Sequence, residues 1–184
     1  MLFKQLPLLL LTTFAVMLSV NLHAQKKQDK KTRKSPAVKE QAMMGDIEIT
    51  INYGSPAVNG RRIWGSLVPF GKVWRTGANE ATTFELNQAV MIDGKEVPAG
   101  KYSLFTIPRK EEWTFILNSD AKQWGAYNYD EEKEVLRFSA RPGQNTSATE
   151  RLTFDITTKG GAAAYVNLKW ENLVVGFEIR PITK

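Results

Sequence analysis

Between residue 47 and the C-terminus the chain alternates apolar and polar positions in short runs, and almost nowhere at helical spacing. Ile47, Ile49, Ile51 and Tyr53 alternate with Glu48, Thr50 and Asn52, the period of a strand with one buried face. Asp93-Gly94 separates Ala89–Ile92 from Lys95–Val97, the signature of a tight hairpin whose turn needs positive φ at both central positions. Further strands are expected over Lys101–Ile107, closed by Pro108, and over Trp113–Leu117. Val135–Ala140, ended by Arg141-Pro142-Gly143, and Leu152–Ile156 follow. Ala164–Trp170 and Leu173–Ile179 then read as a terminal hairpin around Glu171-Asn172. About nine short strands punctuated by turns predict an all-β fold, a single antiparallel β-sandwich or jelly-roll domain.

The N-terminal segment has a different pattern. Lys4 precedes a nearly unbroken apolar run, Leu6–Val20, followed by Ala24, which reads as a cleaved signal peptide over residues 1–24. The run is shorter than the ~20 residues that a membrane-spanning helix needs, so no integral membrane segment is expected in the mature chain. Export then implies the periplasm or the extracellular space.

Charge sharpens the division. Residues 25–34 carry Lys26, Lys27, Lys30, Lys31, Arg33 and Lys34 against Asp29 alone, whereas residues 35–184 hold 18 basic and 18 acidic side chains. The formal net charge of +6 therefore belongs mainly to the arm. We read residues 25–40 as a basic, disordered linker and 41–184 as the domain. A neutral exported domain is a poor partner for nucleic acid.

Composition narrows the chemistry. The chain has no Cys and a single His, His23, within the segment expected to be removed. Thiol nucleophiles, Ser-His triads, histidine metal sites and disulfides are thereby excluded from the mature protein. No metal and no cofactor is expected. Asp130-Glu131-Glu132-Lys133-Glu134 lacks the alternating ligands and central Gly of a calcium loop and reads as a solvated turn.

Residues 54–81 break the strand rhythm with a section rich in Gly, Pro, Arg and Trp. Loops of this length are usually functional or disordered, and its two tryptophans argue against disorder. Four runs stand out: Gly60-Arg61-Arg62-Ile63-Trp64-Gly65, Trp74-Arg75-Thr76-Gly77-Ala78-Asn79-Glu80-Ala81-Thr82, Pro98–Pro108 and Gln123-Trp124-Gly125-Ala126-Tyr127. Their order along the chain resembles domain-of-unknown-function family 2911, from about Ser35 onward. The resemblance implies a single exported bacterial domain and assigns no catalytic residue.

Within Trp74–Glu80 an aromatic, a guanidinium, a hydroxyl, an amide and a carboxylate occur close together. Arg75 suits bidentate capture of a carboxylate or phosphate, and Asn79 both donates and accepts. Arg61, Trp64, Trp74, Arg75, Asn79, Glu80, Trp124 and Tyr127 are accordingly the candidate ligand-binding residues, with Trp64, Trp74 or Trp124 as a stacking plate. The competing reading is structural, with Arg75 paired to Glu80 and Trp74 filling the core. The function expected is binding of a carbohydrate, an envelope fragment or another small polar ligand. One rival is a carboxylate-based hydrolase centred on Glu80, with Asp120, Asp130 or Glu131 as partner. The other is a protein-interaction module of the cell envelope.

Overall fold

The computed structural model describes residues 33–183. The expected signal peptide and residues 25–32 of the expected linker lie outside them. Among the described residues no helix is long and apolar enough to cross a membrane.

Among the described residues ten antiparallel strands form two sheets. The first, in the order β1-β2-β3-β6-β7-β8, contains β1 (Ala37–Met44), β2 (Ile47–Gly54), β3 (Thr82–Leu86), β6 (Gly100–Ile107), β7 (Trp113–Asn118) and β8 (Glu134–Ala140). The second, in the order β5-β4-β10-β9, contains β4 (Val90–Ile92), β5 (Lys95–Val97), β9 (Gly143–Lys159) and β10 (Ala163–Pro181). The all-β sandwich expected from the pattern is the fold observed. Asp93 and Gly94 take φ of 50° and 71°, as their hairpin demands.

β10 doubles back on itself. Tyr165 Oη donates to Glu178 Oε1 at 2.7 Å, although ten extended residues span about 33 Å. A Cβ placed on Gly176 would collide with the carbonyl oxygen of Val166. The turn falls at Glu171, with φ 56°. The first arm of β10 pairs with β9, which Leu173 and Val174 also meet beyond the turn, and the end of the second arm pairs with β4, so the terminal hairpin expected at Glu171-Asn172 is present within one long element.

Two other expectations need revision. β1 begins at Ala37, inside the stretch 25–40 read as linker. Its side chains include Lys39, Glu40 and Gln41, and it is an edge strand paired only with β2, so its sequence carries little apolar signal. β9 is 17 residues long and takes in the polar run Gly143–Glu150, most of it exposed, where only Leu152–Ile156 was expected.

The sheets face each other across a core that includes Ile49, Ile51, Phe84, Phe115, Phe154 and Leu168, all at most 1% exposed. Phe177 of β10 packs on Phe115 and Phe138 at 5.3 and 5.1 Å between ring centroids. Tyr53 Oη accepts the Phe154 N–H at 3.2 Å and Ser55 Oγ donates to Leu152 O at 2.7 Å, tying β2 and its exit to β9.

The six-stranded sheet is buried on its other face too. Phe105, Ile107 and Ile116 form a second, smaller apolar cluster with Ala81, and Val73, Ala126 and Tyr129 pack over it. Residues 73–81 and 123–129 of the long loops therefore form the cover of that face.

Candidate functional site

The cover is fixed to the sheet at Trp74. Its N–H donates to Thr106 O at 2.8 Å and its carbonyl accepts the Thr106 N–H at 2.9 Å, a one-residue continuation of the sheet beside β6. Side chains alternate across an extended segment. Val73 accordingly reaches the outer cluster and Trp74 the sandwich core, which puts Arg75 on the outer side with Val73.

The Trp74 ring stacks on Trp170 at 6.1 Å with a 17° interplanar angle and meets Trp113 edge-on at 6.2 Å. Trp64 stands edge-on to Trp113 and Trp170 at 5.0 and 5.7 Å. Trp74 Nε1 donates to Gly77 O at 3.2 Å, while the indole N–H groups of Trp64, Trp113 and Trp170 are buried without partners. Trp64 and Trp74 thus sit in a core cluster rather than as a plate for a ligand. Arg61 is also elsewhere. Its guanidinium donates to the carbonyls of Val58 and Ala57, and Ala57 bridges to Arg151 of β9.

The other five candidates meet on the cover. Ala81 N–H donates to Gln123 O at 2.9 Å and Gly125 N–H to Asn79 O at 3.1 Å, and Glu80 pairs with Trp124 through the backbone. Asn79, at φ 65°, also donates through Nδ2 to Ser35 O at 3.0 Å. Trp124 is 55% and Tyr127 85% exposed. Gly125, at φ 67°, lets the Tyr127 ring lie directly against its α-carbon, where a Cβ would stand 2.9 Å from the ring.

Thr76 holds an uncommon conformation. A β-branched residue at φ 55° is strained, and such strain persists only where the surroundings over-determine it. Thr76 Oγ1 lies 3.2 Å from Trp74 O and 3.1 Å from Thr106 Oγ1, and Thr82 Oγ1 donates to Thr76 O at 2.9 Å. Gly54 completes the clamp by accepting the Ala78 N–H at 3.2 Å.

Arg75 carries the electrostatic interest. It is half-buried, and its Nε is buried without a hydrogen-bond partner. No ion pair to it forms among the described residues, so the pairing with Glu80 that a structural role would need is not made. Burial lowers its pKa below the ordinary guanidinium value, with Tyr127 acting weakly in the opposite sense. A half-buried guanidinium whose inner N–H has no acceptor is poised for an anion.

The acidic residues proposed as partners of Glu80 have other engagements. Asp120 meets Lys133 Nζ at 3.3 Å, Asp130 accepts the Glu132 N–H at the start of the 3-10 turn Glu131–Lys133, and Glu131 meets Arg137 at 3.2 Å. Among the described residues no group of three or more His, Cys, Asp or Glu is arranged to hold a metal ion.

Sequence reasoning missed Gln123 and Thr106 as supports. Gln123 is buried, and its Nε2 donates to Asp120 O at 2.9 Å. A buried amide inside a polar run such as Ser119–Gln123 leaves no periodic trace. A separate open cleft of about 1060 Å³ includes none of the eight candidates.

No curated protein and no solved structure matched the sequence. One family model did, that of the protein of unknown function DUF2911, over residues 35–179. With most of its length matched, the chain belongs to family DUF2911.

Proposed function

We propose that this protein is an exported binding protein for a small polar ligand bearing a carboxylate, held on the outer face of the six-stranded sheet. The observation that carries this reading is the buried, unpartnered Nε of the half-buried Arg75. A carboxylate there receives the fork of the guanidinium, and the exposed Trp124 and Tyr127 supply flat surfaces for the apolar face of a sugar or peptide fragment. The apolar run at residues 6–20 supports export. Binding is preferred to hydrolysis because Asp120, Asp130 and Glu131 are engaged in the scaffold.

The test is calorimetric titration with hexuronic acids, the matching neutral hexoses and acidic envelope peptides. The reading expects the carboxylated members to bind and Arg75→Met to abolish the heat. Equal affinity for neutral and acidic sugars overturns the anion-based site. Turnover of any of these compounds that Glu80→Gln abolishes in a folded protein favours the hydrolase instead.

A further inference from the structure

The separate cleft lies where the end of β8, the β4–β5 turn, the β9–β10 turn and the outer arm of β10 come together. At about 1060 Å³ it is as large as the sites that take drug-sized ligands. The sandwich is closed on its other side, where β1 lies against β9.

Its lining has two chemistries. Met91, Phe138, Ala163, Phe177 and Pro181 supply carbon surface, and Arg141, Lys159 and Arg180 supply positive charge against Asp93 and Glu178. The charges do not cancel. Glu178 accepts from Tyr165 Oη at 2.7 Å and from Arg180 Nε at 3.0 Å. The hydrogen bonds from Tyr165 and then Arg180 hold its pKa below the usual carboxylate value, so it stays ionised and neutralises Arg180. Lys159 Nζ stands 5.0 Å from the Tyr165 ring centroid. Among the described residues neither Lys159 nor Arg141 forms a salt bridge. Lys159 also acts electrostatically on Glu178, and with Asp93 the only other carboxylate in the lining the cleft keeps an excess of positive charge.

We infer that this cleft is a second ligand site, for an amphiphilic anion whose hydrocarbon body lies along Phe138, Phe177 and Met91 and whose carboxylate or phosphate head meets Arg141 and Lys159. Charge complementarity selects the occupant. A cationic amphiphile gains the same carbon surface and meets the excess positive charge of the lining. The basic N-terminal arm of this chain is disfavoured for the same reason.

The experiment is calorimetric titration of the purified protein with dodecanoate, dodecyl phosphate and dodecyltrimethylammonium, each below its micelle concentration, alongside backbone-amide NMR. Both anions are expected to bind, shifting the amides of Gly94 and Gly176, with the cation at least tenfold weaker, about 1.4 kcal/mol. Dodecanoate binding without dodecyl phosphate binding assigns the head as a carboxylate, and the reverse assigns a phosphate. Reversing the exposed pair in Arg141→Glu/Lys159→Glu should invert the preference, and Arg75→Met should leave it unchanged, which separates this site from the one on the cover. Equal binding of anion and cation, an unchanged double variant, or shifts confined to residues outside the cleft would overturn the inference.

Discussion

Replacing Arg75 by methionine distinguishes a ligand-seeking arginine from a structural one. Breaking a buried ion pair costs about 3 to 5 kcal/mol, because the abandoned partner stays buried and charged. Arg75 has no such partner, so that penalty does not arise. What the substitution removes is one buried N–H with no acceptor, a burden of about 1 to 3 kcal/mol when fully enclosed. Arg75 is only half-buried and its outer nitrogens are screened by water, so the lower end applies. Methionine keeps an unbranched stem of similar reach over the cover. The expected change is a gain of about 1 kcal/mol, or about 2 to 4 °C in Tm for a domain of this size. Scanning calorimetry with parallel urea titration measures it. A loss of about 3 kcal/mol or more would show that Arg75 is a keystone of the fold, and the anion-site argument would collapse with it.

Other consequences can be checked on the same protein. Trp113→Ala removes a fully buried ring packed on Trp64 and Trp74, and should cost about 3 to 5 kcal/mol by urea unfolding. A loss under 1 kcal/mol would contradict the four-ring core. Gly54→Ala drives a methyl into the Ala78 carbonyl, and should destabilise by about 1 to 3 kcal/mol while raising amide exchange across residues 74–80. Unchanged exchange there would mean that Gly54 does not clamp the cover. Tyr53 has a raised pKa, chiefly from burial. Its contribution is intact below the ordinary value of 10.0 and is lost as pH climbs through the higher folded value. The urea midpoint should therefore fall above about pH 10, and that part of the slope should vanish in Tyr53→Phe.

The strands with strong local signals were legible. β2 alternates four apolar side chains and the β4–β5 turn carries Asp-Gly. β3 had the same period in Thr82, Phe84 and Leu86, all buried, but it follows the Trp- and Arg-rich section directly, which masks its start. β1 and the first half of β9 are held by pairing with neighbours distant in sequence, and local composition does not encode that. The link between residues 74–80 and 123–127 was readable as two unusual motifs. The division within the first motif was not. Whether Trp74 points inward and Arg75 outward is set by the single pairing of Trp74 with Thr106, a contact across more than thirty residues of sequence. Four of the five tryptophans converge for the same reason.

That convergence sorts the tryptophans optically. Trp74, Trp113 and Trp170 are buried in one neighbourhood, with the half-buried Trp64 against them, where excitation passes readily between rings and a water-soluble quencher has little access to the buried three. Trp124, 55% exposed on the cover, is the emitter that solvent reaches. The red edge of the emission, and its response to iodide, should therefore report on a few square nanometres of surface around Arg75. The molecule carries a native fluorophore at the place where a ligand is expected to arrive, set against an internal reference of three buried rings that should not respond to it.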